Sequence, residues 1–183
     1  MPIEIEKKYR LTKNQRDIVL KRLSEIGAKS KGEVFEENIL FGGKVLELGR
    51  SVLRLRKIGK KAILTYKERF PSTDSIKRQN EDETTVADAD AMEAILAALG
   101  FSRRLVYEKR RTTWKLGKAE IVVDELPFGL FMEIEGPEDE IINVEKKLAI
   151  KGLKEELQTY PELSQRHGKA RGLMTEARFR SEE

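Results

Sequence analysis

The chain has 183 residues, 39% of them hydrophobic and 37% charged, with a net charge of +4. That mild basic excess fits an anionic ligand but does not by itself imply nucleic acid. No cysteine is present, which excludes disulfides, thiolate catalysis and cysteine-ligated zinc, and no apolar run approaches the ~20 residues that cross a bilayer. A soluble cytoplasmic protein is expected, long enough for one domain with a proper core.

Ile3 to Leu11 alternates: Ile3, Ile5, Tyr9 and Leu11 share one face of an extended strand, and Glu4, Glu6 and Lys8 share the other. Thr12 is placed to N-cap a helix whose period runs through Ile18, Val19, Leu23 and Ile26 and stops at Gly27. Glu33 to Phe41 reads as a strand closed by Gly42-Gly43, a turn and not a phosphate loop, since no helix start follows it. Ser51 to Lys57 and Lys61 to Arg69 form a hairpin about Gly59-Lys60, and Phe70 to Asp74 is a loop. Ile76 to Val86 is extended and very polar. Asp88 to Leu99 is an amphipathic helix with Met92, Ile95, Leu96 and Leu99 on one face.

Phe101 to Trp114, Ala119 to Glu125 and Leu130 to Glu135 are three more strands, and Glu138 to Ile150 is a second amphipathic helix. A short helical piece is expected near Lys154 to Gln158. Beyond Tyr160-Pro161 the tail is polar and basic, helical in part and frayed at its end. Residues 1–160 thus make one domain and 161–183 a basic tail, partly helical or partly disordered. His167, the only histidine, is read as a solvated residue of that tail. Lys169 and Arg171 are what the tail would supply if it folded over one end of the domain. The fold class is α+β, and eight antiparallel strands close naturally into a barrel with flanking helices.

Parity then sorts the charges. If the apolar faces (Ile3, Ile5; Val52, Leu53, Leu55; Ile63, Leu64, Tyr66; Ile121, Val123; Ile134) pack outward under helices, the remaining positions point into the barrel. That inward set is Glu4, Glu6, Lys8, Arg54, Arg56, Thr65, Lys67, Arg78, Glu81, Glu83, Lys109, Arg111, Glu120, Val122, Asp124, Glu133 and Glu135. An unpaired buried ion is costly, so such a lumen either pairs its charges in water or holds a ligand rich in negative charge together with metal ions. Glu4, Glu6, Asp124, Glu133 and Glu135 offer the hard oxygens that suit Mg2+ or Mn2+. The lysines and arginines suit the oxygens of a polyphosphate. The opposite arrangement, with these charges outside, would leave the apolar faces uncovered.

These residues, in this order, resemble the CYTH group, the triphosphate tunnel metalloenzymes. Glu4-x-Glu6-x-Lys8 looks like its ExExK signature. Leu53-Arg54-Leu55-Arg56, Leu64-Thr65-Tyr66-Lys67, Lys109 to Trp114, Val123 to Gly129 and Phe131 to Gly136 resemble its later blocks. The resemblance covers Met1 to about Tyr160 and implies an eight-stranded antiparallel tunnel. It implies that Glu4, Glu6, Asp124, Glu133 and Glu135 bind metal, and that Lys8, Arg54, Arg56, Lys67, Lys109 and Arg111 hold a triphosphate. Arg78 fits the family's Arg-plus-acidic strand in one of several registers. Gly42-Gly43-Lys44 departs from the Asp-Thr-Pro-type turn of cyclase-like members.

The implied activity is divalent-metal-dependent hydrolysis of inorganic triphosphate, thiamine triphosphate or a nucleoside triphosphate, with Glu133, Asp124 and Lys8 as the catalytic candidates. Two alternatives stand beside it. One is a class IV adenylyl cyclase making cyclic AMP and pyrophosphate from ATP; the other is a non-catalytic polyphosphate-binding module. The expected partner is a small triphosphate-containing molecule, with no nucleic acid and no membrane. Oligomeric state is not legible, a homodimer being the working expectation.

Overall fold

In the structure, a computed structural model that describes residues 3–47, 50–70 and 76–180, every alternating segment is a strand. The elements are β1 (Ile3–Leu11), α1 (Lys13–Glu25), β2 (Lys29–Gly42), β3 (Ser51–Ile58), β4 (Lys61–Arg69), β5 (Ile76–Val86) and α2 (Ala89–Ala98). They continue with β6 (Ser102–Leu116), β7 (Ala119–Leu126), β8 (Gly129–Glu135), α3 (Glu138–Leu148), β9 (Lys154–Glu155), α4 (Tyr160–His167), β10 (Lys169–Arg171) and β11 (Met174–Ala177). The sheet runs β6-β2-β3-β4-β5-β1-β8-β7, and β7 pairs back onto β6, so eight antiparallel strands close into a barrel. Most of the loop expected at Phe70–Asp74, and the end of the tail, lie outside the described residues.

The outward faces explain the helices. Tyr9 and Leu11 of β1, Ile121 and Val123 of β7, and Met132 and Ile134 of β8 form one buried cluster. It is covered by Val19 and Leu23 of α1 and by Ile141, Val144 and Leu148 of α3. Thr12 caps α1 in a capping box with Gln15, and Asp88 caps α2 through the N–H groups of Asp90 and Ala91. Leu96 of α2 seals a second cluster with Ile39, Leu53, Leu55 and Val106. Only part of the expected α2 stripe is core: Met92 packs here, whereas Ile95 and Leu99 are exposed.

Other expectations are corrected. Strand β2 begins four residues earlier than Glu33, because a bulge at Gly32 (φ +90°) lets Lys29 and Ser30 pair with β6. Val52 was expected outside but shares the inward parity of Arg54, and it lines the cavity. Ile63 sits across from Arg56 and is therefore inward as well.

The piece near Lys154 is not helical. Lys154 and Glu155 pair with β1, and the helix starts at Tyr160 behind a Thr159–Glu162 capping box. The tail that follows is folded: β10 and β11 form a hairpin, and β11 adds to β6 in parallel at Leu105–Tyr107, where β7 does not reach. Tyr160 and Leu163 of α4 pack with the inward residues Leu40, Tyr107 and Phe131, so α4 lies against one end of the barrel.

Candidate functional site, a charged lumen

The register of the ladders decides which side chains face inward. Across β1 and β5, Glu4 sits opposite Gln79 and Glu6 opposite Lys77; across β1 and β8, Glu6 sits opposite Glu135 and Lys8 opposite Glu133. Thr65 faces Glu83 and Lys67 faces Glu81 across β4 and β5, and Arg111 faces Asp124 across β6 and β7. Directly opposed residues share a face of the sheet. Together they enclose a cavity of about 500 Å³.

Lys8, Arg54, Arg56, Lys67, Lys109 and Arg111 all line this cavity, as do Glu4, Glu6, Glu133 and Glu135. Arg78 does not. It lies opposite Ile5, on the outer face, and its guanidinium donates to Glu138 at 2.9 Å. The inward positions of β5 are the odd-numbered ones, Lys77, Gln79, Glu81 and Glu83, so placing Arg78 with Glu81 and Glu83 broke the period of two.

Asp124 requires a second correction. It is 0% exposed and is not among the residues lining the cavity. Its oxygens accept two hydrogen bonds from Arg111, at 2.7 and 2.6 Å, and one from the Tyr160 hydroxyl at 2.7 Å, and Lys109 stands 3.5 Å away. Burial would raise its carboxyl, yet Arg111 and Lys109 outweigh burial and hold it well below the usual carboxylate range. These partners turn its oxygens toward Arg111, Lys109 and Tyr160, so it orients those two cations.

The other cations are held in the same way. Glu36, which the sequence reading did not single out, is 1% exposed and faces Lys109 at 3.3 Å and Arg56 at 3.5 Å. Burial pushes its carboxyl up, but Lys109, Arg111 and Arg56 bring it down to about 2. Its signal in the sequence is parity: Glu36, Asn38 and Leu40 alternate with the outward Ile39 and Phe41. Glu133 bridges Lys8 at 3.2 Å and Arg111 at 2.7 Å. Lys67 joins Glu4 at 2.8 Å to Glu81 at 2.5 Å, and Gln79 donates to Glu4 at 2.8 Å. Arg54 donates to Thr65 and Glu83. Lys109 is driven down to about 8 by burial and by the neighbouring Arg111.

At the N-terminal end of β1 the carboxylates crowd. Burial raises Glu6, and the charge of Glu133 adds to it. Burial, with the charges of Glu4, Glu120 and Glu6, lifts Glu135 to about 7. Glu81 is lifted to about 8 by burial and by its hydrogen bond with Glu4. These acceptors are short of compensating charge, which a hard divalent cation would relieve, although among the described residues no three carboxylates are gathered into a ready metal site.

The tail reaches the site by another route than expected. Lys169 and Arg171 are exposed on β10, whereas Thr159, Tyr160 and Pro161 line the cavity. The ammonium of Lys8 lies 4.0 Å from the Tyr160 ring centroid and donates to the carbonyl of Gln158. His167 is exposed, stacked on Phe128.

Comparison with known proteins matches the CYTH domain model to residues 2–163. The chain belongs to the CYTH family. Members of this family bind triphosphate substrates and generally use divalent metals. A CYTH relative from Methanocaldococcus jannaschii, provisionally named an adenylate cyclase, is 29% identical over 80% of this chain and 83% of its own. The PH1012 protein of Pyrococcus horikoshii OT3 superposes with a TM-score of 0.77 at 28% identity, covering 87% of this chain and 98% of that one. A Hippeastrum protein first assigned as an adenylyl cyclase, and described as having a dominant triphosphatase activity, superposes with a TM-score of 0.67 at 20% identity. It covers 94% of this chain and 99% of its own, and at that identity it shows the fold alone. Among the described residues, no helix of this CYTH protein is long and apolar enough to cross a membrane.

Proposed function

We propose that this CYTH protein hydrolyses a triphosphate-containing small molecule with the help of a divalent cation, Mg2+ or Mn2+. The observation that carries the reading is the convergence of six cations, Lys8, Arg54, Arg56, Lys67, Lys109 and Arg111, on one cavity that also presents Glu4, Glu6, Glu133 and Glu135. Basic residues alone would make a binding module; the added carboxylates favour an enzyme. Glu4, Glu6 and Glu135 would hold the cation, with Glu133 beside them. When bound, the cation supplies charge neutralisation for the phosphate oxygens and acidifies water within its reach.

The chain's own groups do the rest. The arginines bind phosphate oxygens in pairs, and the lysines follow charge as it moves to the leaving phosphate. Lys8, beside Glu133, and Arg111, beside Asp124 and Glu133, already stand in the lumen before substrate arrives. Glu133 orients the attacking water from its place between them. Asp124 acts through Arg111 and Lys109 and touches no reacting atom.

The name of the archaeal relative favours a second reading, cyclisation of ATP. One assay separates the two. Purified protein is incubated with Mg2+ or Mn2+ and, separately, inorganic triphosphate, thiamine triphosphate or ATP, with Glu4→Gln as control. Orthophosphate release that Glu4→Gln abolishes supports the hydrolase. Cyclic AMP with pyrophosphate establishes the cyclase. Binding without turnover of any of the three leaves the non-catalytic module.

A further inference from the structure

Tyr160 is the first residue of α4, placed there by the Thr159–Glu162 capping box and followed at once by Pro161. It stands at the border between the expected domain and the expected tail, outside every block that carries the family resemblance. It is 6% exposed and lines the cavity, with its ring edge-on to Phe131 at 5.5 Å between centroids. Packing alone would be served as well by phenylalanine. Two of its contacts are not packing.

The first is made by the hydroxyl. It donates to Oδ2 of Asp124 at 2.7 Å, and Asp124 accepts both arms of Arg111 and stands 3.5 Å from Lys109. A neutral donor satisfies part of the buried carboxylate and leaves its charge to the two cations. The second is made by the ring face. The Lys8 ammonium lies 4.0 Å and the Lys109 ammonium 5.3 Å from the ring centroid, both within cation–π range. Lys8 also donates to the carbonyl of Gln158 at 3.3 Å, just ahead of the helix.

A ring differs from a carboxylate as a partner for lysine. Glu133 competes with a phosphate oxygen for the N–H groups of Lys8. An aromatic face attracts the ammonium from one side, carries no net charge, and leaves the other N–H groups to a ligand. We propose that Tyr160 is a positioning residue of the lumen. Its hydroxyl sets Arg111 and Lys109 through Asp124, and its ring sets Lys8 and Lys109, for the reacting triphosphate. It touches no reacting atom. This rests on the triphosphate reading above, and it makes the helix that opens the tail a part of the site.

The test is steady-state kinetics of the full chain in Mg2+, with whichever of inorganic triphosphate, thiamine triphosphate or ATP the wild type turns over fastest. It is run at a temperature where circular dichroism shows every variant folded. Tyr160→Phe keeps the ring and loses the hydroxyl; it should lower kcat roughly tenfold, with a smaller change in KM. Tyr160→Leu loses both and should lower kcat roughly a hundredfold. Leu163→Ala loosens the same helix without touching the cations and should keep kcat near the wild-type value. Lysine-selective 13C labelling adds a signature that packing does not produce. The aromatic ring current shifts the ε-methylene protons of Lys8 in the wild type and in Tyr160→Phe, and Tyr160→Leu abolishes that shift. Kinetic losses in the Tyr160 variants no larger than in Leu163→Ala mark a packing residue; they overturn the proposal and spare the triphosphate reading. A Lys8 signal unshifted in the wild type overturns the part played by the ring, and wild-type kinetics in Tyr160→Phe overturns the part played by the hydroxyl. A folded wild type that turns over none of the three triphosphates overturns both the proposal and the reading it rests on.

Discussion

Asp124 shows how one buried carboxylate sets several cations at once. It accepts both arms of Arg111, takes the Tyr160 hydroxyl and faces Lys109, all without exposure to solvent. Asp124→Asn would leave Arg111 and Lys109 buried with half their counter-charge. We expect a loss of about 3–5 kcal/mol in urea unfolding, the cost of breaking a buried pair. Tyr160→Phe removes one donor to the same carboxylate and should cost about 1.5–3 kcal/mol. Glu36 makes a pH prediction. Its carboxyl titrates at about 2 in the folded protein against 4.5 for the free group. A lowered carboxyl stabilises the fold fully above about pH 5, and that contribution fades as pH falls from 4.5 toward 2. The amount is on the order of 3 kcal/mol. Stability measured across that window should fall more steeply in the wild type than in Glu36→Gln; parallel curves would mean that Glu36 does not carry the effect.

Among the elements, α4 couples the tail to the cavity. Its start is fixed by the Thr159–Glu162 capping box, and its inner face by Tyr160 and Leu163 against Leu40, Tyr107 and Phe131. Thr159→Ala should cost about 1 kcal/mol. Leu163→Ala should cost about 2–5 kcal/mol and leave a void at the end of the barrel. Chemical denaturation reads both, and a wild-type midpoint in Leu163→Ala would show that α4 is not packed as described.

The tail reads as helical in part, and α4 is that helix, but its seat against the barrel was not legible in advance. Tyr160-Pro161-Glu162-Leu163 lies in a polar stretch, and Tyr160 and Leu163 are too short an apolar repeat to show what they pack against, since that barrel end is built by distant strands. The strands were legible, because alternation is local: Glu4-Ile5-Glu6 and Arg54-Leu55-Arg56 carry their faces in the order of residues. The same rule exposes the errors. Arg78 was assigned against the odd-numbered inward positions of β5, and Val52 was put outside although it shares the parity of Arg54. Asp124 was correctly read as inward, but no pattern in one strand reveals that Arg111 and Tyr160 occupy its oxygens.

The whole molecule turns an alternating sequence inside out. Apolar side chains face α1, α2 and α3, and the charges face one another across the lumen. Closure of β6 onto β7 completes that arrangement, and β11 fills the part of the β6 edge that β7 leaves open. The cross-paired lumen has a thermodynamic consequence. A polyanion that takes Lys8, Lys67 and Arg111 must draw them away from Glu133, Glu4 and Glu81, and each carboxylate so released seeks a new positive partner. Anion and cation therefore act as each other's effectors: either alone competes with the internal pairs, and each makes room for the other. Reciprocity requires that the factor by which triphosphate tightens Mn2+ equal the factor by which Mn2+ tightens triphosphate. We expect a factor of roughly ten or more, measured with a non-hydrolysable triphosphate analogue. Equal Mn2+ affinity with and without the analogue would show that the internal pairs do not yield to ligand.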